Sequence, residues 1–239
     1  MAGSQGSALA LAVGAAGALG SLPGALLAPE ALRAELARLA ASGLPYNVNF
    51  FCHVPPAPDA AADTTWRAAL APYYREFGLD ASAVPAGPGR VPFSAAAAEL
   101  LAEFRPPVVS FHFGLPAPEL LAQVKRWGAL VLSSATTLPE ALWLEEHGAD
   151  AVIAQGLEAG GHRGHFLSMD LSEQLGTLAL VPQLVARLRV PVIAAGGVAD
   201  AAGVRAVMAL GAAGVQVGTA YLCSHESLAS AATVGTTTL

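Results

Sequence analysis

One histidine of the chain lies among glycines, directly after an apolar segment of strand length. In the stretch AQGLEAGGHRGHF, residues 154–166, His162 is flanked by Gly160, Gly161 and Gly164. Because glycines supply no side chains to bury the ring, we expect the imidazole to lie on a loop, free to reach a ligand. The unperturbed pKa of histidine, about 6.5, suits a general base at neutral pH. His162 is therefore the candidate catalytic residue, and His165 is a weaker candidate.

Glycines also follow two later apolar segments, where a strand would give way to a helix. The stretches are AAGGVAD at 194–200 and VQVGT at 215–219. Backbone N–H groups can approach an anion closely at glycine, and a helix N-terminus adds its positive dipole. One glycine pair often serves only a tight turn, but two such stretches in succession favour phosphate binding. The candidate ligand-binding residues here are Gly196, Gly197, Gln216, Val217, Gly218 and Thr219.

Several other strand ends are polar in an otherwise apolar chain. Asn49 and Gln155 carry amides that both donate and accept hydrogen bonds, which suits the carbonyl and N–H edge of a planar heterocycle. The alternative is that some of these polar side chains only bind one another. For Glu158 we expect a structural carboxylate that accepts loop N–H groups, with a role as a second base as the alternative.

The order of apolar and helical segments indicates how these residues are positioned. Near-continuous apolar runs predict strands that are covered on both faces, as in a parallel sheet flanked by helices. Predicted strands are Ala18 to Leu22, Tyr46 to Phe51, Val108 to Phe113, Leu130 to Ser134, Ala151 to Gln155, Val192 to Ala195 and Gly214 to Val217. Predicted helices are Pro29 to Ala41, Pro118 to Trp127, Leu138 to His147, Leu180 to Leu188 and Asp200 to Leu210.

Repeated βα units of this kind build either an open doubly wound sheet or a closed (β/α)8 TIM barrel. The barrel is favoured because no GxGxxG motif follows the first strand, while glycines follow the last two strands, where barrels commonly bind phosphate. Only seven strands are found, so strand one of the barrel is expected to be missing from this chain. We expect one domain over 1–239.

A long segment at about 52–105 interrupts the βα rhythm. It is rich in proline and contains a predicted helix at Asp63 to Phe77. A long excursion between barrel strands often forms a wall or lid of the site. A surface insertion without functional consequence is the alternative.

Composition excludes several classes of function. The chain has 54% hydrophobic and 13% charged residues and a net charge of −6, without a basic stripe, so neither nucleic acid nor a membrane surface is expected as a partner. The uncharged stretch Ser7 to Leu27 is broken by glycines and predicts a buried helix followed by a strand. Cys52 and Cys223 have no partners at metal-ligand spacing, so we expect no metal and a reducing cytoplasmic location.

The combination of AQGLEAGGHRGHF, PVIAAGGVAD and GVQVGTAYL resembles the nitronate monooxygenases, formerly called 2-nitropropane dioxygenases. YNVNFF, SFHFG and VLSSATT are also similar to strands of that family, which consists of FMN-dependent (β/α)8 barrels. The resemblance implies that FMN contacts Asn49, Gln155, Gly160, Gly197 and residues 216–219, and that His162 is the base near the flavin. It further implies oxidation of an alkyl nitronate by dioxygen to a carbonyl compound and nitrite.

Two other functions are considered beside this one. The FMN-dependent enoyl-acyl-carrier-protein reductases share the EAGGH and AAGG elements, but Gln155 favours the monooxygenase. A flavin-free phosphate-binding barrel acting as a lyase or isomerase is the third. Compared with the family, we expect this polypeptide to be truncated at both ends, which makes its own activity an open point.

Overall fold

Seven parallel strands, hydrogen-bonded in the order in which they occur in the chain, form one sheet. The computed structural model describes residues 3–80, 83 and 91–230. The strands are β1 (Gly20–Pro23), β2 (Tyr46–Phe51), β3 (Val108–His112), β4 (Leu130–Ala135), β5 (Ala151–Gln155), β6 (Val192–Ala195) and β7 (Gly214–Gln216). Helical crossovers between strands in sequence order are the connectivity of a β/α barrel. The seven strands predicted from the sequence are therefore confirmed.

Eight helices are described, and the first precedes the first strand. They are α1 (Ser7–Ala15), α2 (Pro29–Ala41), α3 (Ala60–Glu76), α4 (Ala95–Phe104), α5 (Pro118–Arg126), α6 (Leu138–Glu146), α7 (Thr177–Val185) and α8 (Ala201–Ala209). Short 3₁₀ turns lie at Gly24–Leu26, Leu171–Glu173 and Thr219–Cys223. The prediction of a helix followed by a strand within Ser7 to Leu27 is confirmed by α1 and β1, but the helix is only partly buried, through Ser7, Leu9 and Ala10. None of the helices described is long and apolar enough to span a bilayer.

The helices bury apolar stripes against the sheet. In α2, Leu32, Leu36 and Leu39 are buried, which is the spacing of one helix face. Such side chains form one core beside β1 to β4, and a second core lies beside β4 to β6. Burying one leucine contributes roughly 1.5–3 kcal/mol, so these stripes hold the βα units in register.

Two predicted boundaries move for identifiable reasons. The strand predicted to reach Phe113 ends at His112, because Phe113 has a φ of +68° and leaves the extended conformation. The helix predicted from Leu180 to Leu188 occupies Thr177–Val185 instead. Its early start is stabilised from a distant residue, because the Glu158 carboxylate accepts the N–H of Thr177 at 2.8 Å.

Residues 54–91 form a compact unit of their own. Its described part contains α3, which begins at Ala60 because the Asp59 carboxylate accepts the N–H groups of Ala61 and Ala62. The helix predicted at Asp63 to Phe77 is thus present, three residues longer at its start. No residue of α3 is buried. Residues 92–105, which were also assigned to the insertion, lie in the unit of the sheet and include the unpredicted helix α4.

Candidate functional site

His162 lies on the long connection between β5 and α7, with its side chain exposed. Its imidazole contacts two aromatic rings edge-on: the ring centroids lie 5.5 Å from Phe51 and 5.9 Å from Phe113. Phe51 closes β2 and Phe113 follows β3, so both rings belong to the carboxyl ends of the strands. Active sites of β/α barrels are built at this end.

Phe113 is held in an unusual backbone conformation. Its φ of +68° lies in the left-handed region, which is rare for a bulky residue and costs free energy unless its surroundings enforce it. Its ring packs against Phe51 at 5.5 Å and His112 at 4.5 Å between centroids. The result is an apolar wall, made of Phe51 and Phe113, beside the exposed imidazole. No pattern in the sequence predicted this wall.

The backbone carbonyl of His162 receives two side-chain donors. Gln155 Nε2 donates to it at 2.9 Å, and His112 Nε2 lies 3.2 Å from it. The other end of the Gln155 amide, Oε1, accepts the N–H of Gly164 at 2.7 Å. Gln155 and His112, at the ends of β5 and β3, therefore fix the loop that carries His162.

The tautomer of His112 follows from its partners. A carbonyl oxygen can only accept, so Nε2 carries the proton, and Nδ1 accepts from the Ser134 hydroxyl, 3.1 Å away. Burial lowers the pKa of His112 to about 4, partly offset by its hydrogen bond to the His162 carbonyl. At neutral pH this side chain is an uncharged donor.

Glu158 is a structural carboxylate, as the sequence analysis expected. Its Oε2 accepts the N–H of Thr177 at 2.8 Å and the Thr177 hydroxyl at 2.9 Å. Burial raises the pKa of Glu158, but hydrogen bonds from its own backbone and from Thr177, with the charge of Arg163, lower it below the ordinary value overall. The carboxylate is thus ionised and joins the loop to the first turn of α7.

A second carboxylate, Glu140 of α6, anchors the far part of the same loop. Its Oε1 accepts the N–H of Phe166 at 2.6 Å, and its Oε2 accepts the N–H and hydroxyl of Thr136 at 2.7 and 2.8 Å. Glu140 is only 1% exposed. Its role was not predicted, although Thr137-Leu-Pro-Glu140 has the spacing of a helix capping box, a signal that could have indicated it.

The glycine stretches after β6 and β7 meet the loop after β5. Gly196 and Gly197 have φ values of +118° and +69°. A Cβ added to Gly196 would lie 2.8 Å from the Ala159 nitrogen, and one added to Gly160 would lie 3.0 Å from Oγ1 of Thr219. Three predicted site residues, Gly160, Gly196 and Thr219, therefore lie on backbone segments in close contact. Gly197, Val217 and Gly218 lie on the same segments, as does the exposed Gln216.

Asn49 takes part in a separate polar network within the sheet. Its Nδ2 donates to the hydroxyl of Ser110 at 3.0 Å and to the Ser110 carbonyl at 3.3 Å. Asn47 donates to the hydroxyls of Ser110 and Ser21, both at 2.8 Å. The alternative that some strand-end polar groups bind one another is thus correct for these residues. The recorded contacts of Asn49 lie with β3, not with the glycine stretches.

The family of the chain follows from comparison with known proteins. The model of the family described as nitronate monooxygenase matches residues 1–238. A nitronate monooxygenase of Paraburkholderia phytofirmans is 43% identical over 233 residues, which are 95% of this chain and 63% of that protein. One of Pseudomonas aeruginosa is 43% identical over 234 residues, 94% of this chain and 65% of that protein.

Solved structures agree with this relation. The nitroalkane oxidase of Streptomyces ansochromogenes superposes with a TM-score of 0.87 at 37% identity, covering 97% of this chain and 66% of its own. FabK of Thermotoga maritima gives a TM-score of 0.69 at 30% identity, covering 95% and 58%. This chain therefore spans somewhat less than two thirds of the length of these relatives, and the predicted α/β barrel class is confirmed. Because the family model matches almost every residue, the chain belongs to the nitronate monooxygenase family.

Proposed function

We propose that this chain carries the FMN-dependent site of a nitronate monooxygenase, which oxidises alkyl nitronates with dioxygen to a carbonyl compound and nitrite. One observation carries the proposal. The exposed imidazole of His162 lies beside the apolar wall of Phe51 and Phe113, on the same loop whose Ala159 and Gly160 contact the glycine stretches after β6 and β7. A base or anion-binding group, an apolar surface and a candidate phosphate cradle are thereby combined at one end of the sheet.

The residues present fit an FMN phosphate. At Gly196 a side chain would meet the backbone of Ala159, and at Gly197 it would lie 3.1 Å from Cβ of Glu158. Only glycine therefore permits the close approach of these segments, and with Gly218 and Thr219 they offer backbone N–H groups to an anion. FMN, when bound, supplies the electron transfer and the reaction with dioxygen.

The amides of Asn49 and Gln155 are proposed to face the flavin edge. Gln155 uses one proton of Nε2 and one lone pair of Oε1 for the loop, so each end retains one further hydrogen bond. Asn49 uses Nδ2 for Ser110. The same amide of Gln155 thus serves the loop and remains open to a ligand.

His162 is proposed to bind the substrate. Its imidazole would hold the nitronate anion or take the α-proton of a neutral nitroalkane. Phe51 and Phe113 pack edge-on against that ring and give it an apolar neighbour on one side. The alkyl group of the substrate would lie against the same two rings.

The experiment reconstitutes the purified chain with FMN and follows flavin absorbance, oxygen consumption and nitrite release. We compare His162→Asn with His147→Asn; His147 is the exposed histidine directly after α6, and its contacts are with Trp143, through the carbonyl at 2.7 Å and the stacked ring. We expect His162→Asn to keep its flavin and to lose about 100-fold or more in turnover of a neutral nitroalkane. The control should behave as the wild type.

The other functions give different results in this assay. Rapid anaerobic reduction of the flavin by NADH or NADPH would favour the enoyl reductase. Protein that stays colourless with added FMN would favour the flavin-free barrel. Wild-type turnover by His162→Asn would exclude the proposed role of this residue.

A further inference from the structure

The loop that carries His162 is rich in glycine, yet one of its carbonyl groups is held at two points. The His162 oxygen faces Nε2 of Gln155 at 2.9 Å and Nε2 of His112 at 3.2 Å. Glycine-rich backbone loses more conformational entropy on ordering than other sequences do. An exposed catalytic side chain on such a loop therefore depends on contacts to its backbone for a defined position.

The His112 contact requires one tautomer, because the carbonyl can only accept, and the neighbouring strand satisfies the other ring nitrogen in that tautomer. Ser134, on β4, has a hydroxyl 3.1 Å from Nδ1 of His112. If that hydroxyl donates, Nδ1 is the acceptor and the proton lies on Nε2, where it faces the His162 carbonyl. The opposite tautomer would place two acceptors 3.2 Å apart, at Nε2 and the carbonyl oxygen.

The loop also packs directly on the His112 ring. A Cβ added to Gly164 would lie 2.6 Å from Cε1 of His112 and 2.9 Å from Oε1 of Gln155. The His112 ring therefore supports the loop at two points. One is the carbonyl of residue 162, and the other is the van der Waals contact at Gly164. No charged group is needed for either contact.

We propose that His112 is a positioning residue for His162: in the Nε2–H tautomer, whose Nδ1 accepts from the Ser134 hydroxyl, it fixes the backbone carbonyl of residue 162 and so the direction of the catalytic imidazole. The expected effect of His112 on the reaction rate rests on the proposed function. The hydrogen bonds themselves are independent of that function. Displacement of a catalytic group by about 1 Å can cost on the order of 100-fold in rate.

The first test is spectroscopic and needs no turnover. Long-range nitrogen–proton correlation spectra of ¹⁵N-labelled protein near pH 7 report the tautomer of each histidine. We expect the Nε2–H form for His112 in the wild type and in Ser134→Ala, because the His162 carbonyl, which can only accept, faces Nε2 in both. Backbone hydrogen exchange at residues 160–164 should be faster in His112→Phe than in the wild type, most clearly at Gly164, whose N–H donates to Oε1 of Gln155 at 2.7 Å. A wild-type Nδ1–H tautomer would overturn the proposal.

The second test is kinetic and uses rescue. His112→Phe keeps a ring but cannot donate, whereas His112→Gln places an amide N–H at a similar reach. With FMN and a nitronate, we expect kcat of His112→Phe to fall about 10- to 100-fold with KM changed less than about threefold, and His112→Gln to recover most of kcat. His147→Phe is the matched control and should match the wild type.

The outcomes separate this inference from the proposed function. If the wild type shows no nitronate turnover, the proposed function fails, while tautomer and hydrogen exchange still decide whether His112 holds the loop. If turnover is present and His112→Phe retains wild-type kcat and wild-type exchange at residues 160–164, the positioning role is refuted. Equal losses in His112→Phe and His112→Gln would also contradict it, because the donor would then be irrelevant.

Discussion

The charge state of His112 connects a single side chain to the stability of the protein. Burial lowers its pKa to about 4, whereas in the unfolded chain it is near 6.5. A histidine with a lowered folded-state pKa leaves stability unchanged above pH 6.5. As the pH falls from 6.5 towards 4, the unfolded state takes up the proton first and stability is lost. The imidazoles of His162 and His165 add repulsion in the same direction.

We expect the free energy of unfolding of the wild type, relative to His112→Gln, to decline as the pH falls from 6.5 to 4. The slope should approach roughly 1.4 kcal/mol per pH unit where it is steepest. Urea denaturation of both proteins at several pH values measures the difference and cancels the other titrating groups. A difference that stays constant from pH 7 to 4.5 would show that His112 is not buried in its neutral form.

At the scale of elements, the sequence predicted every described strand of the sheet but not every helix. Strands β2 and β5 begin and end where predicted, and β5 shows the reason most clearly: it follows Asp150, is apolar from Ala151 to Ala154 and ends at Gln155, as expected of a buried parallel strand. Helix α4 was not predicted because no glycine marks its C-terminal end. The residue after Phe104 is Arg105, which adopts the left-handed φ of +48° that glycine usually takes at this position. The start of α7 was missed because Glu158, 19 residues away, binds the N–H of Thr177.

The site divides along the same line between local and distant interactions. Glycine spacing predicted that His162 would be exposed and that loops after β5, β6 and β7 would matter, because glycine acts through its own backbone. The supporting contacts of His112, Glu140 and Phe113 join residues that are far apart in the chain. No local pattern encodes those contacts, so only the folded structure reveals them.

The packing of α1 against β1 depends on one glycine. A Cβ at Gly20 would lie 2.0 Å from the carbonyl oxygen of Ala10 and 2.7 Å from its carbonyl carbon. Both atoms are backbone, so the helix itself would have to move. We expect Gly20→Ala to lower the free energy of unfolding by about 1–3 kcal/mol, the usual cost of overpacking.

The matched control for Gly20→Ala is Gly214→Ala at the start of β7. An added Cβ there would only touch Cγ1 of Ile193, at 4.0 Å. Because alanine loses less conformational entropy than glycine on folding, this variant should be as stable as the wild type or slightly more stable. Urea denaturation of the two variants compares them directly. Equal destabilisation would show that α1 does not approach β1 as closely as the structure has it.

At the scale of the whole molecule, the buried apolar side chains among residues 3–80, 83 and 91–230 all lie in the unit that contains the sheet. Both cores consist of residues outside 54–91, and α3 buries none of its residues. The residues of the sheet unit that flank the 54–91 segment are nevertheless close together. The N–H of Phe93 donates to the carbonyl of Phe51 at 2.8 Å, so a short linker can join the flanking residues.

We therefore expect that replacing residues 54–91 by about five glycine and serine residues leaves the sheet folded. Shortening a loop of this length reduces the entropy cost of closing it, so the free energy of unfolding should stay equal or rise by up to about 2 kcal/mol. Urea denaturation followed by circular dichroism measures it, and a control that replaces 54–91 by a glycine–serine segment of the original length separates loop length from loss of α3. Loss of cooperative unfolding in both variants would show that the segment stabilises the fold.

If both unfold cooperatively, nitronate turnover distinguishes the two functional alternatives: an unchanged kcat/KM indicates a surface insertion, whereas a reduced kcat/KM with a folded sheet indicates a wall of the site.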